Sequence, residues 1–177
     1  MAHTDHKCSG HFSSPSVHQT LDELEFERGI WSAALNGDLT EVKRHLQKDV
    51  DADKTDKSGY TALHYASRNG HLDVVRTLVD AGAHVDVTTR SGHATPLHRA
   101  AYMGHTDIVK FLLSRGADPV SRDSDEMTPL HKASERSRLE CVSVLLEASA
   151  VARTVHDSRG RTPSDCASDD TIKQLLS

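Results

Sequence analysis

The side chains best suited to chemistry near the start of the chain are His3, His6, Cys8 and His11. Imidazole and thiolate are the usual protein ligands of zinc, so a metal site is one interpretation of this cluster. The spacing matches no standard zinc motif, and no second pair of ligands lies nearby. We therefore interpret the segment as a polar tail of incidental composition, and a metal- or redox-responsive tail remains the alternative function.

A second set of histidines, His64, His98 and His131, recurs at a regular interval. Catalysis would require an acid or a nucleophile at a fixed offset from each of them, and none is present. The chain also lacks a G-x-S-x-G nucleophile turn, a phosphate-binding P-loop, an H-E-x-x-H zinc motif and the kinase signatures. We predict a protein that is not an enzyme, with no catalytic residue, no metal in its fold and no cofactor.

Composition limits the remaining classes. The 177 residues are 36% hydrophobic and 27% charged, with a formal net charge of −5 and both signs interspersed. A chain without a basic stripe is poorly suited to nucleic acid, and no apolar run approaches the roughly 20 residues that span a bilayer. The N-terminus lacks the apolar core of a signal peptide. We therefore expect no nucleic-acid partner, no membrane association, and a cytoplasmic location with entry to the nucleus open.

The three cysteines, Cys8, Cys141 and Cys166, are odd in number and far apart in sequence. This pattern does not make a disulfide framework, and it fits a reducing compartment. Cys141 takes the place that Val74 and Ile108 hold in neighbouring segments. We predict that Cys141 is a small buried hydrophobic residue.

One phrase organises the rest of the chain because it is repeated. The segment T-P-L-H-R-A-A-Y-M-G-H-T-D-I-V-K-F-L-L begins at Thr95, and close copies begin at Thr61 and Thr128. A fourth start, T-P-S-D, falls at Thr162, so successive threonines are 34, 33 and 34 residues apart. A fixed period of roughly 33 residues indicates a solenoid of helix pairs.

The residue types of this phrase explain how each unit forms. A threonine hydroxyl can cap the first helix, and the proline that follows it in two copies takes a position where a missing N–H costs nothing. Gly70 and Gly104 are expected to end the first helix in the left-handed conformation. The apolar face of each second helix can then be buried only by a neighbouring unit.

These residues resemble the ankyrin repeat family, whose marks are T-P-L-H, a G-H step and a V-V-x-x-L-V or I-V-x-x-L-L run. The resemblance implies an all-α solenoid of stacked helix-turn-helix units with β-hairpin-like finger loops. It also implies that His64, His98 and His131 are structural, bonding within and between repeats. His71 and His105 are then turn residues of the G-H step.

The predicted domain organisation has three parts. Residues 1–19 are a disordered polar tail, residues 20–27 an acidic N-terminal capping helix, and residues 28–177 a repeat domain of four repeats and a truncated C-terminal capping repeat. Ile172, Leu175 and Leu176 are expected to face back onto the stack. The loop before Thr95 has one extra residue and is expected to bulge. In the fourth repeat Glu126 and Ser137 replace glycines, and one extra residue lies in the segment A-S-A-V-A-R-T-V-H-D. Because ordinary residues are strained at positive φ, the fourth repeat is predicted to be the loosest.

The resemblance further implies that the hairpin tips and the ends of the first helices form a concave groove whose ligands are usually proteins. Positions there are not constrained by the fold, so their chemistry carries the specificity. Aromatic and arginine side chains are typical interface anchors, and a partner with acidic and apolar residues would be complementary. We expect a monomer that binds a protein partner, and the candidate contact residues are Tyr60, Arg68, Asn69, Arg90, His93, Tyr102, Met103, Met127, Glu135 and Arg136.

Overall fold

The computed structural model describes Phe26 and residues 29–177. Across that part of the chain the secondary structure is helical, with ten α-helices, one 3-10 helix at Ala150–Thr154 and no β-strand. The α-helices are α1 (Ile30–Asn36), α2 (Leu39–Leu46), α3 (Ala62–Asn69), α4 (Leu72–Asp80), α5 (Pro96–Met103), α6 (Thr106–Ser114), α7 (Pro129–Glu135), α8 (Leu139–Ala148), α9 (Pro163–Cys166) and α10 (Asp170–Leu176).

The helices form two parallel rows. The first helix of each pair packs on the first helix of the next, in the order α1, α3, α5, α7 and α9. The second helices, α2, α4, α6, α8 and α10, make the other row in the same order. The predicted all-α ankyrin solenoid is confirmed, because each helix pair buries its apolar side against its neighbours.

The capping threonines start the first helices as predicted. The side chains of Thr61, Thr95 and Thr128 each accept a hydrogen bond from the backbone N–H of the residue three positions later, which is a histidine. The histidine ring accepts a bond from the threonine N–H in return. This is a capping box in which histidine takes the place of the more usual Glu or Gln.

Left-handed residues end the first helices. Gly70 and Gly104 have φ values of 84° and 88°, as predicted, and Ser137 adopts 54° at the equivalent position of the fourth repeat. Glycine also leaves space for the next repeat, because a Cβ built on Gly70 would lie 2.7 Å from the ring of His105. A side chain at this position would therefore displace a side chain of the following repeat.

The core is a continuous line of small and aliphatic side chains. Leu63, Leu97 and Leu130 on the first helices are fully buried, as are Val75, Val109 and Val142 on the second helices. At the C-terminal end Ile172 and Leu176 are buried, but Leu175 is 39% exposed. The prediction that Leu175 faces the stack is wrong. The last helix has a neighbouring repeat on only one side, and Leu175 is turned away from it.

The loops before the capping threonines are hairpin turns joined into a chain by backbone hydrogen bonds. The N–H of Arg90 donates to Ser58 O at 3.1 Å, and the N–H of Ser124 donates to Gly92 O at 2.9 Å. The extra residue of the second hairpin is accommodated by His93, which takes a φ of 46°. These bonds hold the loops at a fixed spacing along one side of the first helices.

The fourth repeat differs from the others at both of its turns. Glu126 takes a φ of 57° in its hairpin, and Ser137 is left-handed between its helices. The extra residue after α8 is absorbed by the 3-10 helix, where Ala152 is fully buried. The repeat therefore keeps the common fold with two residues in a conformation that favours glycine.

Candidate functional site

The recurring histidines link each repeat to the next and are not available for catalysis. The Nε2 atoms of His64, His98 and His131 each donate to a backbone carbonyl of the following hairpin, at 2.9, 2.9 and 3.1 Å. Their Nδ1 atoms accept from the capping threonine. Burial lowers the pKa of His64 and of His98 to about 4, so these rings are neutral at physiological pH. The structural role implied by the resemblance agrees with this geometry.

A second line of contacts between repeats runs through the turn residues. The Nε2 atoms of His71 and His105 lie 3.0 Å from the carbonyl oxygens of Leu35 and Arg68 in the preceding repeat. In the fourth repeat Arg138 takes this place, and its Nε donates to Tyr102 O at 3.4 Å. These histidines are therefore turn residues that also bond between repeats.

The surface left free by both sets of contacts is the groove face, which we define as the exposed side of α3, α5 and α7 together with the hairpin loops beside it. A cavity of about 360 Å³ opens on this face between the second and third hairpins and helices α5 and α7. Its lining includes Gly92, Ala94, Ser124 and Asp125 from the loops, and Arg99, Tyr102, Lys132 and Glu135 from the helices.

Four predicted contact residues come together on the groove face. The guanidinium of Arg136 lies over the ring of Tyr102, 4.4 Å from its centroid. Met103 is 38% exposed, and Glu135 and Arg136 at the end of α7 are also exposed. The pair of Tyr102 and Arg136 presents a broad, rigid contact surface, because a stacked guanidinium fixes both side chains.

The other predicted residues lie toward the N-terminal repeats and the hairpin tips. Tyr60 is half-buried, and its ring lies 5.4 Å from that of Tyr65. Arg68 and Asn69 are exposed at the end of α3, where Asn69 donates to the carbonyl of Tyr65 at 2.9 Å. Arg90 and His93 are exposed in the second hairpin.

Met127 is placed differently from the prediction, because the structure buries it. Its side chain is 5% exposed, its carbonyl accepts the bond from His98, and its sulfur lies 3.2 Å from Lys132 Nζ. Ala94, at the same position of the second hairpin, is also buried, whereas Tyr60 at this position of the first hairpin is half-buried. Met127 is therefore not part of the surface that a partner could contact.

The sequence interpretation missed three residues of this face, Tyr65, Arg99 and Lys132. Each follows its capping threonine by four residues, so the repeat alignment already contained the signal. Tyr65 Oη donates to Asp56 Oδ2 at 2.6 Å, and burial, aided by this bond, raises the pKa of the phenol. Lys132 Nζ pairs with Asp123 Oδ2 at 2.8 Å. Arg99 instead lies over the ring of Tyr60, 5.0 Å from its centroid.

The N-terminal end of the stack carries an aromatic cluster. Phe26 stacks on Trp31 at 6.3 Å and meets Tyr65 edge-on at 5.4 Å. The indole N–H of Trp31 donates to Lys54 O at 2.8 Å, which ties the first repeat to the second. Apart from Phe26, the predicted capping helix at 20–27 and the predicted tail at 1–19 lie outside the described residues.

Metal and thiol chemistry has little support in the described part of the chain. Residues 29–177 and Phe26 contain no group of three His, Cys, Asp or Glu side chains placed to hold a metal ion. Cys141 is buried as predicted, and burial raises the pKa of its thiol. His3, His6, Cys8 and His11 lie outside the described residues, so the metal-binding alternative stays a prediction. No helix in the described residues is long and apolar enough to cross a membrane.

The stacked helix pairs, the capping boxes and the inter-repeat bonds define an ankyrin repeat protein. A family model described as ankyrin repeats in three copies matches residues 30–123, and one described as an ankyrin repeat matches residues 125–155. The chain belongs to the ankyrin repeat family.

Comparison with curated proteins identifies particular relatives. The chain is 56% identical over 86 residues to human ankyrin repeat domain-containing protein 39, covering 48% of this chain and 47% of that protein. It is 67% identical over 64 residues to the Bos taurus protein of the same name, covering 36% of this chain and 35% of that protein. It is 33% identical over 140 residues to ankyrin repeat protein nuc-2 of Neurospora crassa, covering 79% of this chain and 10% of that protein.

Each match to protein 39 thus spans less than half of the relative's length. Two segments of the sequence already resemble that protein, F-E-R-G-I-W-S-A-A-L-N-G-D at 26–38 and G-Y-T-A-L-H-Y-A-S-R-N-G-H at 59–71. The comparisons confirm this closer resemblance. Since protein 39 carries no activity in its name, the resemblance adds no mechanism to the repeat fold.

Proposed function

We propose that this chain is a non-enzymatic adaptor that binds a protein partner through the groove face. Ankyrin repeats are generally protein-interaction modules, and the family supports this class of function. The observation that carries the proposal is the stack of Arg136 on Tyr102, because Tyr102 lines the 360 Å³ cavity and both Arg136 and the adjoining Met103 are exposed. Aromatic and arginine side chains next to a pocket are the residues that most often dominate binding energy.

The proposal is also supported by surface positions of the first helices that the fold does not constrain. On α3, α5 and α7 the buried positions are nearly identical in all three repeats, whereas the surface position held by Arg68, Tyr102 and Glu135 differs at each step. Residues that vary along a regular scaffold can fit an irregular partner surface, and a preorganised scaffold lowers the cost of binding. The mixed charges of this face suit a partner segment with acidic and apolar residues.

Site-specific photocrosslinking tests the proposal. A photoreactive amino acid replaces Met103 on the groove face in one variant and Lys110, exposed on the second-helix row, in the other. In cells we expect discrete crosslinked products from position 103 and none of the same products from position 110. The Met103 products should disappear when Tyr102→Ala and Arg136→Glu are added, with helicity and melting temperature unchanged.

Two outcomes would contradict the proposal. Identical products from both positions would show that proximity and not the groove face determines capture. Products that persist unchanged with Tyr102→Ala and Arg136→Glu would show that these residues do not contribute to binding.

A further inference from the structure

The four hairpins share one backbone hydrogen bond, but the residue that donates it has a different side chain in one of them. In each, the first residue donates its N–H to the carbonyl of the residue before the capping threonine, as from Asp123 to Met127 at 3.0 Å. The residues that make this bond are Asp56, Thr89, Asp123 and Asp157. Thr89 therefore occupies the position that an aspartate holds in the other three hairpins.

An aspartate at this position has two tasks. One carboxylate oxygen accepts the N–H groups of its own turn, as Asp123 Oδ1 does from Asp125 and Met127 at 2.9 and 3.0 Å. The other oxygen reaches the first helix in two hairpins, pairing with Lys132 in the third and with Tyr65 in the first, whereas in the fourth hairpin Asp157 Oδ2 binds Arg161 of its own loop. Thr89 performs the first task, since its Oγ1 accepts from Ala94 N at 3.1 Å. It has no second oxygen.

Arg99 is the residue that this difference leaves without a carboxylate. It occupies the helix position of Tyr65 and Lys132, and within the described part of the chain no acidic side chain pairs with it. Its Nε is buried without a hydrogen-bond partner among those residues, and its Nη2 donates to the hydroxyl of Tyr60. A guanidinium that lies over an aromatic ring, lines an open cavity and has no carboxylate beside it keeps the capacity to bind an anion there.

The surroundings of Arg99 favour a singly charged anion. The guanidinium lines the cavity between α5, α7 and the second and third hairpins. Of the acidic groups there, Asp123 is already neutralised by Lys132, while Asp125 and Glu135 also line the cavity. Their charges oppose a doubly charged phosphate more than a carboxylate.

We infer that Arg99 binds an aspartate or glutamate side chain of a partner segment that lies in this cavity beside Tyr102. The partner carboxylate takes the place of the missing hairpin aspartate. This inference rests on the proposed function, because it names the chemistry that the groove face recognises. Arg99 is then the residue that selects acidic segments, and Tyr102 with Arg136 supplies contact area beside it.

A peptide selection tests this assignment on the full chain. Short random peptides displayed on phage are selected for binding, and a selected peptide is synthesised with its acidic residue intact and with Asp→Asn or Glu→Gln. We expect a fixed acidic position, and about a tenfold loss of affinity from removing its charge. Arg99→Gln should cause a loss of similar size, and the two changes together should cause little more than either alone.

Thr89→Asp is the sharper variant, because it leaves Arg99 intact and supplies the aspartate found in the other hairpins. We expect it to weaken binding of the acidic peptide about as much as Arg99→Gln does, while the uncharged peptide is unaffected. Arg153→Gln, which changes an exposed arginine in the 3-10 helix, is the matched control and should leave both affinities unchanged.

The failures of the two proposals are distinguishable. Selected peptides whose binding is lost with Tyr102→Ala but which show no acidic position, or which bind Arg99→Gln equally well, would overturn the role of Arg99 and leave the groove face as the binding site. Peptides that bind with no sensitivity to Tyr102→Ala would contradict the proposed function itself. An acidic preference that Thr89→Asp leaves intact would overturn the idea that this hairpin position is vacant for a partner.

Discussion

The two sides of the first helices follow different rules. The side of α3, α5 and α7 that faces the neighbouring repeat carries Thr, Leu, His and Ala at the same positions in all three helices. The groove face of the same helices carries Tyr65, Arg99 and Lys132 at one position and Arg68, Tyr102 and Glu135 at another. The difference teaches that the residues repeated in every helix hold the repeats together, whereas the positions that vary from helix to helix are available for recognition.

The buried side of the first helices contributes more to the free energy of unfolding than the groove face does. Each recurring histidine is bonded to its own capping threonine and to the next hairpin, so one side chain holds two repeats together. A buried polar group that loses its partner costs about 1–3 kcal/mol, whereas exposed substitutions are usually within about 0.5 kcal/mol. Perturbations of the two sides should therefore differ in size, and the following predictions test that difference.

Acidification should produce the largest effect. Burial lowers the pKa of His64 and His98 from 6.5 to about 4, so between these values the unfolded chain binds protons that the folded chain does not. The free energy of unfolding should therefore fall as the pH drops below about 6.5, by about 2 kcal/mol for each histidine at pH 5. Urea denaturation at pH 7 and pH 5 should show a loss of about 4 kcal/mol from these two histidines, and His131, whose pKa burial also lowers, adds to it.

Two other titrating groups do not hide the loss of stability between pH 7 and pH 5. The exposed His84 has its pKa raised by Asp53, so it acts in the opposite direction and gains as the pH falls. For Asp157, burial opposes ionisation, but hydrogen bonds from Arg161 prevail and lower its pKa to about 2, so it stays ionised at pH 5. In His98→Gln the pH-dependent loss should be smaller by about 2 kcal/mol, while His64 and His131, whose pKa is also lowered by burial, still contribute. Equal stability at pH 7 and pH 5 would contradict the neutral buried histidines.

Removal of the central histidine is the next largest perturbation. His98→Ala leaves a cavity and deprives Thr95 and Met127 of their shared partner, so we expect a loss of about 3 kcal/mol in the free energy of unfolding at pH 7. Arg68→Ala, on the exposed side of the preceding helix, should change it by less than about 0.5 kcal/mol. Chemical denaturation measures both, and comparable losses would remove the distinction between the two sides.

The third hairpin allows a test with almost no change in shape. Asp123→Asn keeps the oxygen that accepts the turn N–H groups but removes the charge that pairs with Lys132 at 2.8 Å. Because both side chains are largely buried, we expect a loss of about 2 kcal/mol in unfolding free energy, measured by urea denaturation. Asp125→Asn, two residues away and exposed, is the control and should have little effect. Equal losses would mean that the buried pair contributes nothing specific.

The repeated positions were predictable from sequence because each one appears several times. The period, the capping threonines, the glycines at helix ends and the burial of Leu63 and Cys141 all follow from residue type and register. The extra residue before Thr95 also predicted a distortion of that hairpin. An ankyrin fold could therefore be assigned without coordinates, and the family comparison agrees.

The groove face was less predictable because its contacts join residues that no local pattern connects. The stacking of Arg136 on Tyr102 crosses from one repeat to the next, and the pairing of Arg99 with Tyr60 spans 39 positions. Met127 was predicted to be on the surface because a hairpin tip is usually exposed, but its side chain is buried with its sulfur against Lys132 Nζ. Predicting the roles of Tyr65, Arg99 and Lys132 would have required an alignment of the hairpins as well as of the helices, because the helix position that they share contacts hairpin positions 56 and 123.

The smallest predicted effect concerns the strain in the fourth repeat. Ser137 has a φ of 54° where the other repeats have glycine, and a side chain in the left-handed region costs about 1–2 kcal/mol. Glycine relieves this strain but loses more entropy on folding, so Ser137→Gly should raise the free energy of unfolding by about 0.5 kcal/mol net. Thermal or urea denaturation can measure a gain of this size.

Ser143→Gly, within α8, is the matched control, because a glycine in a helix interior should instead lower stability by about 1 kcal/mol. Hydrogen exchange locates the effect: amides of α7 and α8 should exchange more slowly in Ser137→Gly, while those of α3 and α4 are unchanged. If the fourth repeat is the loosest unit, its amides also exchange fastest among the three central repeats of the parent chain. Uniform exchange across those repeats would mean that the strain at Ser137 and Glu126 is offset by the 3-10 helix and the C-terminal cap.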